Sequence, residues 1–193
     1  MHLHRVNTSD RSLIKNHFPA VLWMTGLSGS GKTTIAKAVE YELCTKYKIH
    51  TYHLDGDILR DGLNRDLGFS PQSRSENIRR AAEVARLMAD AGLVVLLSFI
   101  SPFRADRDNA RQIISPFTFI EIFVNSPLEL CEQRDPKGLY QKARAGLIPD
   151  FTGISSPYEE PLNPEINLDT SKMSLQDCKN KIIQYLFKKP LLR

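Results

Sequence analysis

The stretch "AVLWMTGLSGSGKTTIAKAVE", residues 20–40, decides the fold of this chain. Its first six residues, "AVLWMT", are an apolar run of strand length. Its last part opens a segment, 33–47, in which Ile35, Ala38, Val39 and Leu43 recur at helical spacing. Between the two, "GLSGSGKT" (26–33) fits G-x-x-x-x-G-K-[ST] in the context that motif requires, after a strand and opening a helix. Gly26, Gly29 and Gly31 let backbone N–H groups point inward around phosphate oxygens. The helix N-terminus beyond them adds favourable potential for an anion. Lys32 can reach the outer phosphates, and Thr33 can ligate Mg²⁺. Leu27, Ser28, Ser30 and Thr34 complete the expected nucleotide loop. A Gly/Ser turn matching by chance would need neither the strand nor the helix, so the segment implies ATP or GTP. GTP-specific proteins usually carry an Asn-Lys-x-Asp motif. It is missing here, which favours ATP.

Outward from this unit the chain alternates strand and helix. "IHTYHL" (49–54), the continuously apolar "LVVLLSFI" (93–100), "FTFIEIFV" (117–124) and "EINLD" (165–169) read as further strands. Helices are expected over 73–92, 104–114, from Pro127 to about Arg134, and over 174–188. The first of these opens on a Ser-x-x-Glu capping signature at Ser73 and Glu76. Its apolar face is Ile78, Ala81, Ala82, Ala85, Leu87 and Met88. The expected fold is α/β: a three-layer P-loop sandwich with a central parallel five-stranded sheet. We expect one domain over 1–193, with a polar lead-in at 1–19 and a lid and substrate loop at 134–164. That loop is long and weakly periodic, and its aromatic content argues against disorder.

Bulk properties bound the function. At 193 residues, 41% hydrophobic and 25% charged, the chain has an ordinary soluble composition. No apolar run approaches eighteen residues, so no membrane helix is expected, and the N-terminus lacks a signal-peptide core. Cys44, Cys131 and Cys178 are isolated and odd in number, which argues for a reducing cytoplasm. The net charge of +4 is spread among arginines that alternate with acids. This suits a small polyanion better than a nucleic acid, and no zinc-finger or aromatic RNA-stacking pattern is present.

"DGDILRDGLNRDLGF" (55–69) follows the second strand and holds four Asp and two Arg in fifteen residues. The strand at 93–100 ends without the Asp that hydrolytic P-loop proteins use for Mg²⁺. Asp55 and Asp57 stand instead at the end of the second strand. There a carboxylate can accept a proton from an acceptor hydroxyl or order metal-bound water. Asp-Gly is turn chemistry, but a turn does not call for the second Asp. The layout is that of a small-molecule kinase.

These strings, together with "RSENIRR", "FISPFR", "RDPKGLYQKARAG" and "FTGISSPYEEP", resemble the adenylylsulfate kinase family from about Arg11 to the last helix. The resemblance implies transfer of the ATP γ-phosphate to the 3′-hydroxyl of adenosine 5′-phosphosulfate (APS), in sulfate assimilation. It implies Mg²⁺ with ATP, held through Thr33 and Asp55. It implies a catalytic set of Lys32, Asp55, Asp57 and Ser101, without saying which Asp is the base. The implied acceptor site is Arg60, Arg74, Asn77, Ile100, Ser101, Lys137, Thr152, Gly153 and Ile154, with Phe69 and Phe151 stacking on the substrate adenine. Arg134, Lys137, Lys142 and Arg144 would close as a lid, and a homodimer is implied. The family describes the serine of "ISP", here Ser101, as a phosphoserine intermediate. A hydroxyl without a nearby base is a poor nucleophile, so we expect Ser101 not to be an obligatory relay. Asp61 and Asp66 are expected on the solvated surface.

Ile58, Ser73 and Phe103 depart from the family pattern, where Asn, Asp and Tyr or His are usual. Two other readings fit part of the chain: a kinase for another small hydroxyl compound, and a nucleotide-binding regulatory module. The paired Phe and Arg positions disfavour the first. The acidic pair and lid disfavour the second.

Overall fold

The computed structural model describes residues 6–189. Five strands form one sheet in the order β2-β3-β1-β4-β5: β1 Ala20–Thr25, β2 Thr51–Asp55, β3 Val94–Ser98, β4 Thr118–Asn125 and β5 Ile166–Asp169. Every pairing is parallel. Parallel strands need crossovers, and helices supply them on both faces. The expected five-stranded three-layer architecture is therefore present.

The alternation of β1 sorts the two cores. Ala20, Leu22 and Met24 face α2 (Lys32–Thr45) and α8 (Leu175–Lys188), meeting Val39, Leu43, Ile182 and Leu186. Val21 and Trp23 face α4 (Pro71–Asp90) and α5 (Arg104–Ile114), meeting Ile78, Ala81, Ala85 and Ile114. Successive side chains of a strand point to opposite faces, so a central strand covered on both sides must be apolar throughout. All of β1 is buried. The site lies at the carboxyl edge of this sheet, as expected for open α/β folds.

Several local expectations need correction. Helix α4 starts at Pro71, and its cap lies three residues before the Ser73/Glu76 signature. Ser70 caps it by accepting from Ser73 N–H at 3.2 Å, and Pro71 occupies the first turn. Proline suits that position because its missing N–H would have no partner there. Glu76 pairs instead with Arg79 and Arg80 on the surface. Leu87 is exposed, and Ala89 takes the place expected for it in the core. The lead-in contains a helix, α1 (Thr8–Lys15), capped by Asn7 and Asp10 and tied by Thr8 and Arg11 to Asp90 at the end of α4. Residues 1–5 of that lead-in lie outside the described residues. Three further short helices complete the elements of the described residues: α3 (Gly56–Asp61), α6 (Leu128–Arg134) and α7 (Leu139–Arg144).

Candidate active site

The loop between β1 and α2 turns through three glycines with positive φ: Gly26, Gly29 and Gly31. Two of them also sit where a side chain has no room. A Cβ on Gly26 would lie 2.5 Å from the Val124 carbonyl, and one on Gly29 would lie 2.9 Å from that of Cys131. The loop can therefore seat against β4 and α6 only with glycine at both positions. Lys32 is buried at the start of α2 and donates to the carbonyls of Gly26 and Leu27 at 2.9 and 2.6 Å. Burial pulls its pKa down to about 8.

Asp55 ends β2 beside this loop. It accepts from Thr33 Oγ1 at 2.8 Å, Ser98 Oγ at 3.0 Å and Asp57 N–H at 2.9 Å. Burial alone would favour the neutral acid, but these three donors outweigh it and hold the carboxyl below its ordinary range. His53 joins the chain through Ser98 Oγ at 2.9 Å. Asp57, two residues on, behaves differently. Its carboxylate stands 68% exposed at the cleft and pairs with Lys137 from the segment before α7.

A cleft of 1430 Å³ joins these groups to the expected acceptor residues. It is lined by Arg60, Phe69, Arg74, Asn77, Ile100, Ser101, Lys137, Phe151 and Thr152, as well as by Ser28 to Thr34 and both acids. Gly153 and Ile154 lie just behind the wall. Ile154 packs with Phe151, Tyr140 and Leu128, and a Cβ on Gly153 would touch Leu27 and Leu128. Phe69 is 60% exposed and Arg60 lies over its ring at 4.5 Å. Phe151 is buried edge-on to Tyr140. The Arg74 guanidinium is buried and bonded within the protein. It donates to the Phe69 carbonyl, the Asp150 carbonyl and Thr152 Oγ1, tying together the segments that carry the two rings.

Ser101 is 2% exposed and adopts φ +38°. Its Oγ accepts from Trp23 Nε1 at 3.1 Å. Its carbonyl accepts from Arg107 at 2.6 Å and from Thr25 Oγ1 at 3.3 Å. Arg107 in turn pairs with Glu121 at 2.7 Å. A left-handed non-glycine residue persists only where its surroundings over-determine it, and here three side chains bond it directly, one of them held in turn by Glu121.

Of the expected lid cations, Arg134 and Lys137 line the cleft. Lys142 is exposed outside it, and Arg144 pairs with Glu132 on the surface. Asp66 pairs with Arg80, exposed as expected. Of the departures, Ile58 is exposed at the cleft, Ser73 bonds Ser70, and Phe103 precedes α5 without a side-chain cap. Sequence reading missed Tyr140, whose hydroxyl donates to the Ser28 carbonyl at 2.9 Å and anchors α7 on the phosphate loop. It also missed Thr170, Met173 and Leu175 at the far end of the cleft. Only the position of β5 and α8 beside the loop reveals them.

A phosphate loop facing a paired-acid strand end, with a second aromatic and cationic compartment in one cleft, defines a P-loop kinase for a small acceptor. The comparisons with known proteins narrow the class. The chain belongs to the adenylylsulphate kinase family, whose profile matches residues 18–169. It is 56% identical to the adenylyl-sulfate kinase of Oceanobacillus iheyensis over 94% of this chain and 90% of that one. Against the adenylyl-sulfate kinase of Marinobacter nauticus it is 54% identical, over 100% of this chain and 96% of the other. The structure of the Mycobacterium tuberculosis APS kinase CysC in complex with AMPPNP and APS superposes with a TM-score of 0.86 at 48% identity, covering 89% of this chain and 99% of that one.

Proposed function

We propose that this chain transfers the γ-phosphoryl group of ATP to the 3′-hydroxyl of APS, giving 3′-phosphoadenosine 5′-phosphosulfate and ADP. One observation carries the reading: the phosphate loop, Asp57 and the aromatic pair Phe69 and Phe151 line a single cleft. ATP is held by residues 26–34, and APS by Phe69 and Phe151, with Arg60, Asn77 and Lys137 turned to its anionic groups. Base–aromatic stacking contributes about 1–3 kcal/mol per base.

The two acids divide the work. Asp57, exposed and near the acceptor side, accepts the 3′-hydroxyl proton as the oxygen attacks the γ-phosphorus in line. The bond to the bridging oxygen breaks and ADP leaves. Asp55 has its oxygens committed to Thr33, Ser98 and the Asp57 N–H, which suits a role around Mg²⁺. The donors at that point are all oxygens, which fits a hard cation that keeps several waters and substrate phosphates as ligands. No cluster of three His, Cys, Asp or Glu suited to a metal occurs among the described residues, so the ion would rest mainly on Thr33, Asp55 and the nucleotide. When bound it neutralises charge on the transferring phosphates. Lys32 supplies the protein's own cation there, and the 134–164 segment closes over both substrates to exclude water.

The test is ADP release with APS, compared with a sugar acid and a nucleoside as acceptors. APS-dependent turnover well above the others is expected. Equal or absent APS dependence overturns the reading. The same reading carries one kinase unit, acting in the cytoplasm as a homodimer, which sedimentation would check. Among the described residues no helix is long and apolar enough to cross a membrane.

A further inference from the structure

Asn64 lies in the turn between α3 and α4 and is completely buried. Its N–H donates to the Leu59 carbonyl at 2.7 Å and its carbonyl accepts from Leu67 N–H at 3.0 Å, so its backbone is fixed. Its side-chain Nδ2 donates to Asn77 Oδ1 at 2.9 Å. Its own Oδ1 is buried with no hydrogen-bond partner among the described residues. Asn77 is 5% exposed and lines the cleft. With its oxygen engaged by Asn64, the Asn77 amide presents its NH₂ to the cleft. No protein acceptor among the described residues takes it.

Reversing both amides would preserve the bond between them but would leave a buried NH₂ of Asn64 without an acceptor. Unpaired buried N–H groups are rarer than under-satisfied carbonyl oxygens. The direction described is therefore the favoured one. It also explains a polar residue in a dry position. An orphaned buried acceptor destabilises the fold, and an apolar side chain of similar volume would remove that cost. What only the amide supplies is the donor to Asn77.

We propose that Asn64 is a positioning residue for the acceptor nucleotide: by holding the Asn77 oxygen, it fixes Asn77 as a hydrogen-bond donor toward the anionic substrate. The inference rests on the reading above that places Asn77 against APS. An amide is nearly symmetric in shape but opposite in chemistry at its two ends. Turned the wrong way, it would set a carbonyl oxygen against phosphate or sulfate oxygens, acceptor facing acceptor. Arg60 and Arg74 cannot correct this, because a cation attracts the anion however the amide stands. Asn64 also joins the segment carrying Arg60 to the helix carrying Arg74 and Asn77, alongside the bonds from Arg80 to Leu63 and Asp66 on the surface.

The experiment is a double-mutant cycle on Asn64→Leu and Asn77→Leu. APS and ATP dissociation constants are measured by calorimetry and folding by thermal melting. Asn77→Leu should weaken APS binding about tenfold, as for loss of one hydrogen bond to a charged group. Asn64→Leu should weaken it about threefold or more, with ATP binding within twofold of the parent and melting unchanged or higher. The double variant should bind APS no worse than Asn77→Leu alone, because Asn64 acts through Asn77. An Asn64→Leu effect that persists undiminished in the Asn77→Leu background overturns the proposal, since it reports loop packing. So does unchanged APS binding in Asn64→Leu when Asn77→Leu is weak. If Asn77→Leu itself binds APS normally, the acceptor-site reading fails first and takes this proposal with it. Should Asn64→Leu not fold, Asn64→Asp carries the same cycle at constant volume. Its carboxylate accepts from Asn77 Nδ2, turns the amide, and should cost about tenfold in APS affinity, reduced in the Asn77→Leu background. An equal cost in both backgrounds overturns the proposal.

Discussion

Thr33 and Asp55, twenty-two positions apart, meet through a 2.8 Å hydrogen bond from the threonine hydroxyl to the carboxylate. The bond joins the start of α2 to the end of β2, across the carboxyl edge of the sheet. It separates the two acids chemically. Asp55 is saturated with donors, whereas the exposed Asp57 carboxylate pairs, among the described residues, with Lys137.

Different failures should follow from removing each acid. Asp57→Ala removes the group proposed to take the hydroxyl proton, and turnover should fall about 10²- to 10⁴-fold with ATP binding retained. Asp55→Ala should also reduce turnover, but it leaves Thr33 and Ser98 without their acceptor and should raise the Mg²⁺ concentration needed for half-maximal rate. Steady-state kinetics against Mg²⁺ distinguish them. Near-normal turnover in both variants would refute the division.

The two aromatic rings should separate binding from folding. Phe69→Ala removes a ring that is 60% exposed, so stability should hardly change while APS affinity falls by the stacking contribution of about 1–3 kcal/mol. Phe151→Ala removes a buried ring packed against Tyr140 and should cost about 3–5 kcal/mol in stability as well. Calorimetry with each nucleotide and a denaturation series check both. Equal losses for APS and ATP would remove Phe69 and Phe151 from the acceptor site.

Much of this was legible in the sequence because it rests on long or unusual patterns. The all-apolar run 20–25 is what a strand covered on both faces requires, and "GLSGSGKT" has few other uses. The misses share a cause. Helices α1, α3 and α7 span eight, six and six residues, too short for apolar periodicity to emerge. Ser70 and Ser73 both offer a plausible cap, and the choice fell to Ser70 because Pro71 fits directly after it. Asn64, Tyr140 and Met173 act through partners brought together only by the sheet order, which no local spacing reports. The family resemblance implies Arg74 on the anion. Its bonds to Phe69, Asp150 and Thr152 depend on where two distant segments meet.

Lys32 makes ATP binding depend on pH. Burial holds its pKa near about 8, against an ordinary 10.5. Bound phosphates favour the charged form and raise that value. Below pH 8 the ammonium is already charged and binding takes up no proton. Above it, binding must take one up, so ATP affinity should fall by up to tenfold per pH unit until the bound-state pKa is reached. The unfolded chain binds more protons than the folded one between pH 8 and 10.5, so the residue's unfavourable contribution to stability shrinks as pH rises through that window. Calorimetry from pH 7 to 9.5 in buffers of different ionisation enthalpy would detect the uptake. Flat affinity and no proton uptake would show that Lys32 is not perturbed in this way.

Ser101 should hold the site rather than relay the phosphoryl group. Its Oγ is buried and accepts from the Trp23 indole, while Arg107 and Thr25 hold its carbonyl. No His, Asp or Glu among the described residues hydrogen-bonds its hydroxyl to activate it. Ser101→Ala leaves the indole N–H without an acceptor and should cost about 1–3 kcal/mol in stability. Turnover in the folded variant should remain measurable. With a chirally labelled γ-phosphate, a single direct displacement inverts configuration at phosphorus, whereas two displacements through Ser101 retain it. Inversion is expected, together with an active Ser101→Ala. Retention, with a folded but inactive Ser101→Ala, would make the serine the covalent centre.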